Sequence, residues 1–118
     1  MKSPYFYSWK GGYKLFILLY PQGNSEVEGT HLSIFIYASS HGELDQILSK
    51  SILNCKVEVA LLSQQEDKEN NVGNFNDLSL NDMRDGMGFP RFFPLKELEN
   101  SPYLENDTIF IQVTCTKD

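Results

Sequence analysis

At 118 residues the chain is long enough for one domain around one core, and too short for a catalytic domain joined to a recognition domain. Ten Lys and Arg against sixteen Asp and Glu give a net charge of −6, which repels a nucleic-acid backbone or an anionic membrane. The hydrophobic share of 41% suits a packed soluble unit, the apolar run Leu15–Leu19 is far short of a bilayer span, and no signal-peptide pattern follows Met1, so a cytoplasmic location is expected.

Tyr5 to Trp9 is aromatic and strand-like, Lys10-Gly11-Gly12 reads as a tight reversal, and Tyr13 to Tyr20 is almost continuously apolar, so the three segments predict a hairpin. Pro21 to Gly29 carries the proline, glycines and acids of a long turn. Thr30 to Ser39 is the next strand: alternation turns Leu32, Ile34 and Ile36 to the core and His31, Ser33, Phe35 and Tyr37 to the other face. His41 to Leu48 has helical spacing for one or two turns. Cys55 to Leu62 alternates Val57, Val59 and Leu61 with Lys56, Glu58 and Ala60, the mark of a strand with one buried face.

Ser63 to Asn71 has no apolar residue, which predicts a solvated loop whose Glu66–Asn71 part is dispensable, with structure resuming near Phe75. Gly86 to Phe93 reads as a short strand that Pro90 confines to an edge or a bend. Pro94 to Asn100 predicts a helical turn, and Asp107 to Cys115 a last strand with Ile109, Ile111, Val113 and Cys115 on one face. Short strands separated by turn signals, with almost no helix, predict an all-β fold, an antiparallel β-sandwich, as a single domain over residues 1–118.

His31 and Ser33 are the one pair that hints at nucleophilic catalysis. Residues two apart on a strand are roughly 7 Å apart with parallel side chains, whereas a nucleophile and its base must touch. No G-x-S-x-G elbow occurs either, so the pair reads as structural. Two histidines and no CxxC leave no metal-ligand spacing, and Cys55 and Cys115 read as reduced, buried thiols. Asp77 to Gly88 fails as a calcium loop, with Asp82 where the turn needs glycine and Gly88 where it needs glutamate. No cofactor is expected. What remains is a group of aromatics beside a strand edge, the way peptide-binding sheets present pockets.

In order along the chain, "SPYFYSWKGGYKL", "GTHLSIFI", "VALLSQ", "GFPRFFPLKEL" and "YLENDTIFIQV" resemble, almost end to end, the C-terminal domain of the tumour-necrosis-factor-receptor-associated factors, the TRAF-C or MATH domain. His31 and Ser33 then belong to a fold signature. The resemblance implies an eight-stranded antiparallel sandwich, of which about seven strands are expected because the chain starts at the family's second strand, and no enzyme activity. It implies binding of extended peptide segments of receptor tails or signalling adaptors. An alternative within the family is substrate recognition for ubiquitin-ligase or deubiquitinase machinery. A small hydrolase is the reading from another class, and it requires active-site labelling of Ser33, Cys55 or Cys115.

Carried over position by position, the resemblance places peptide contacts at Tyr20, Asn24, Phe35 and Phe75 and at the edge-strand residues Met87, Gly88 and Phe89, with Leu18 where the family commonly has arginine. Asn24 stands in place of an acid. Gly86-Met87-Gly88-Phe89 matches the ubiquitin-machinery relatives' Asp-Trp-Gly-Phe only in its last two residues. Without Arg at 18 or an acid at 24, binding is expected to depend on apolar contacts and little on salt. With no heptad segment, the chain alone is expected to be monomeric or weakly self-associating, a trimer requiring a longer protein with a coiled coil.

Overall fold

The computed structural model describes residues 1–7, 14–39, 55–78 and 86–117. The expected helix at His41–Leu48, the Lys10–Gly12 reversal and most of the calcium-like stretch lie outside them. Among the described residues the strands are β1 (Phe6–Tyr7), β2 (Lys14–Tyr20), β3 (His31–Ala38), β4 (Cys55–Leu61), β5 (Asn71–Leu78), β6 (Met87–Pro94) and β7 (Ile111–Lys117). A 3-10 turn, Ser25–Val27, and a helical turn, α1 (Leu95–Leu98), complete the list.

All strand pairs are antiparallel, and they form a four-stranded sheet, β1-β2-β3-β6, and a three-stranded sheet, β5-β4-β7. The sandwich follows from the alternation. Leu15, Leu32, Ile34 and Ile36 from one sheet meet Val57, Val59 and Leu61 from the other, each at most 2% exposed. On β7 the expected inward set Ile111, Val113 and Cys115 is half-buried and packs on this core, while Gln112, Thr114 and Thr116 are exposed. Ala60, on the outward register of β4, is nonetheless buried. It is a small side chain on a central strand flanked by β5 and β7.

Two strand boundaries differ from the sequence reading. β5 begins at Asn71, not near Phe75, because backbone pairing with β4 from Leu61↔Asn71 carries the polar residues. The loop before it is tied down: Ser63 N–H donates to Asn70 Oδ1 (2.8 Å), and Tyr103 Oη donates to the Glu69 carbonyl (3.1 Å). The removable part shrinks to Glu66–Lys68, and deleting those three residues should leave urea unfolding cooperative with a nearly unchanged midpoint. The last strand starts at Ile111 because Asn106 and Asp107 adopt φ of 52° and 58°, closing a tight turn in which Glu105 and Thr108 exchange backbone hydrogen bonds. Asn and Asp tolerate that left-handed backbone better than most residues.

Among the described strands β6 lies at the edge of its sheet, one of the two placements that Pro90 allows. Opposite it the register shifts between Leu32 and Ile34, and Ser33 fills the irregularity. Its side chain is fully buried; Oγ donates to the Pro90 carbonyl (2.6 Å) and accepts from Asn24 N–H (3.2 Å). Asn24 is held there by the preceding turn, where Gly23 sits at φ 92° with no room for a Cβ against the Val27 and His31 carbonyls. Ser33→Ala should therefore cost about 1–3 kcal/mol, the penalty of orphaning two backbone groups, read as a lower urea midpoint. An unchanged midpoint would mean that water satisfies both groups.

Candidate peptide-binding surface

Strand register decides which candidate residues meet. Leu18 pairs with Phe35, Tyr20 with Ser33, and Phe35 in turn with Gly88, so Leu18, Phe35 and Gly88 form one row on the outward face of the four-stranded sheet. Tyr20 and Phe35 touch edge to face, ring centres 5.8 Å apart at 84°. Asn24 lies beside them through its hydrogen bond to Ser33. Leu18, Tyr20 and Phe35 present side chains there, and all five residues are half-buried.

Phe75, Met87 and Phe89 are placed differently. Met87 and Phe89 pair with the core residues Ile36 and Ile34 and share their inward face. Phe89 stacks on Phe75 of β5, ring centres 4.4 Å apart at 24°, and leans on Phe92 at 5.7 Å. The expected shallow surface joining Tyr20, Phe35 and Phe75 is thus corrected: Phe75 bridges the two sheets from the inside and is not a neighbour of the Tyr20–Phe35 pair. Alternation along one strand gives opposite faces, but only the pairing says which face is the core.

Gly88 also has a different neighbour from the one expected. The sequence reading had Gly88 contact the peptide. A Cβ there would instead collide with the Ile34 carbonyl and come within 2.5 Å of Phe35 Cδ1. β3 itself occupies the space.

Sequence reasoning put Tyr37 on this face and missed the rest of it. Phe16 stacks on Tyr37 (5.4 Å, 9°), and Tyr5 meets Phe16 edge to face (5.7 Å, 88°). Lys2 extends the Leu18 row through a Lys2↔Leu18 bridge, since Met1–Ser3 hydrogen-bonds along β2: Met1 N donates to the Leu19 carbonyl (3.0 Å) and Ser3 N–H to that of Ile17 (3.0 Å). The available signal was the even-numbered alternation of Phe16 with Leu18 and Tyr20.

Elsewhere among the described residues, the candidate reactive groups have other partners or are poorly placed to react. His31 Nδ1 is bonded to Thr30 Oγ1 at 3.0 Å, and Ser33 is committed to Pro90 and Asn24, so the two do not form a catalytic pair. Cys115 is half-buried rather than fully buried, and loss of solvent pushes its thiol above the ordinary range, away from thiolate chemistry. The side chain of Cys55 lies outside the described residues. Among the described residues no cluster of three metal-ligating side chains occurs, and no helix is long and apolar enough to cross a membrane.

A groove of about 740 Å³, lined by Ile17, Leu19, Leu95, Leu98, Ile109 and Ile111 among others, lies between Met1–Pro4, α1 and the approach to β7. It shares no residue with the eight candidates. The aromatic face beside β6 carries five of the eight candidates, Leu18, Tyr20, Asn24, Phe35 and Gly88, on or beside it.

The comparisons with known proteins agree with this architecture. TNF receptor-associated factor 1 of Mus musculus is 37% identical over 93% of this chain, and human TNF receptor-associated factor 2 is 34% identical over 93%. The chain spans only 29% and 23% of those two relatives. A solved structure, Notothenia coriiceps TRAF5, superposes with a TM-score of 0.82 at 26% identity, covering 98% of this chain and 61% of that one. The MATH domain family model matches residues 1–115, and with relatives above 30% identity along nearly the whole chain, this protein belongs to the MATH domain family.

Proposed function

We propose that this chain is a non-enzymatic, cytoplasmic protein-interaction domain that binds short extended peptides of receptor tails or signalling adaptors along the free edge of β6. The observation that carries the reading is geometric. β6 has β3 as its hydrogen-bonded neighbour on one side only among the described strands, and the Leu18–Phe35–Gly88 row with Tyr20 lies directly behind that edge. An added strand gains main-chain bonds from β6 while alternate side chains reach the aromatic face. The relatives' names associate them with TNF receptors, which favours a receptor tail as the partner. Substrate recognition for the ubiquitin machinery uses the same edge and is the second reading.

Met87 and Phe89 contribute to this reading through backbone alone, Phe75 by holding the edge in place, and Asn24 as a neutral rim. A single peptide on so open a surface should bind with a dissociation constant on the order of 10 μM to 1 mM, with useful strength arising from multivalent presentation. In isolation the domain should sediment as a monomer or a weakly associating species.

The test is chemical-shift mapping with the best binder from an array of receptor-tail and ubiquitin-pathway peptides. Shifts should cluster on Leu18, Tyr20, Phe35 and β6, and Phe35→Ala, checked for an intact fold, should weaken binding at least about 10-fold, as loss of an aromatic anchor does. Shifts confined to the β5-β4-β7 sheet, or full affinity in Phe35→Ala, would show the site to be elsewhere.

A further inference from the structure

The Lys2–Leu18–Phe35–Gly88 row runs across the whole outward face, from the N-terminal segment to β6. At its far end the Lys2 ammonium lies 4.5 Å from the ring centres of both Tyr5 and Phe16, and that of Lys14 lies 4.6 Å from Tyr5. Lys2 Nζ also donates to Tyr5 Oη at 2.9 Å. Two cations therefore converge on an aromatic platform in a chain whose net charge is −6. The hydrogen bond from Lys2, and then its charge, draw the exposed Tyr5 phenol below its ordinary range, as a locally positive field does.

We infer that the Lys2–Lys14 platform is a second contact for the partner held at β6, taking the carboxylates of an acidic segment while Phe16 and Tyr37 receive the apolar parts of the same stretch. This rests on the peptide-binding reading and adds the chemical class of one end of the partner. Charge complementarity selects the occupant. An acidic peptide would meet repulsion over most of this protein, and here two ammonium groups stand beside the continuous aromatic face that a bound chain would cross.

The spacing follows from sheet geometry. Strands are about 4.8 Å apart, so the row from a peptide added to β6 back to Lys2 covers four spacings, roughly 19 Å, or about six extended residues. The acids are therefore expected about six residues beyond the portion paired with β6. The small salt dependence expected from Leu18 and Asn24 then applies to the central contacts, and the acidic end adds a screened contribution.

The experiment uses a β6-binding peptide from the array, prolonged by a flexible spacer of about six residues and ending in Glu-Glu, Gln-Gln or Lys-Lys. Binding is read by fluorescence anisotropy at low and high salt. With the wild-type protein at low salt, Glu-Glu should bind about 3- to 10-fold tighter than Gln-Gln, and Lys-Lys more weakly than either. The preference should vanish at high salt and in Lys2→Gln/Lys14→Gln. Equal binding of all three peptides, or a preference that survives both lysine substitutions, would overturn the inference. The three peptides compared on the wild type decide the matter even if the double variant folds poorly. If the unextended peptide binds normally while the acidic preference is missing, this inference alone fails; if it does not bind at all, the peptide-binding reading fails as well.

Discussion

Phe89→Ala is expected to lower the unfolding free energy by about 3–5 kcal/mol, the range for removing a packed aromatic from a core. Phe89 is half-buried, so the lower end of that range is the better guide. The size of the effect comes from position. The ring stacks on Phe75, leans on Phe92, and fills the space opposite Gly73, where a Cβ would lie 2.8 Å from its Cζ. Gly73 occupies an inward register position of β5 without a side chain, and Phe89 supplies the missing volume from the facing sheet. Truncation therefore empties a place that backbone alone cannot refill, at the edge where β5 and β6 hold the sandwich shut. Urea unfolding checks this: the midpoint should fall with an unchanged slope, and Phe89→Leu should recover part of the loss. A cost below about 1 kcal/mol would mean that the two edge strands are not joined through this stack.

Gly88→Val is expected to disrupt the fold before it reports on binding. A Cβ at 88 meets the Ile34 carbonyl, Phe35 Cδ1 at 2.5 Å and Phe35 Cα at 2.7 Å; two of these are backbone atoms, which yield only if β3 and β6 separate. Overpacking of this kind costs about 1–3 kcal/mol and often more where the main chain must move. Gly88→Ala already carries the offending carbon, so both variants should melt earlier than the wild type, valine the more so. Backbone shifts should be centred on Ile34 and Phe35. If Gly88→Ala were neutral, the close approach of the two strands would be wrong. The consequence for function is practical: lost peptide binding in a position-88 variant would not locate the groove, whereas Phe35→Ala removes an outward ring and leaves the β3–β6 ladder in place.

The sequence by itself determined the strands whose side chains alternate strongly. Leu32-Ile34-Ile36, Val57-Val59-Leu61 and Ile111-Val113-Cys115 each carry the period of two that a half-buried strand imposes, so their inward faces were legible residue by residue. The ordered motifs, which need no geometry, identified the family. Pro90 likewise restricted its strand to an edge or a bend through its missing N–H, and among the described strands β6 is at the edge.

Only the tertiary structure decided the rest, because it depends on which strand lies beside which. The start of β5 is polar and is held by hydrogen bonds to β4, a contribution that side-chain periodicity does not carry. Phe75, Met87 and Phe89 look from the sequence like neighbours of Tyr20 and Phe35; the Ile34↔Phe89 register sends Phe89 and Met87 inward, and stacking on Phe89 takes Phe75 with them. Lys2 joins the candidate surface through a bridge to Leu18, sixteen positions away in sequence, so no local pattern could have placed its charge at the end of that row. Local alternation fixes a strand's two faces, and long-range pairing alone chooses which face meets the core and which meets a partner.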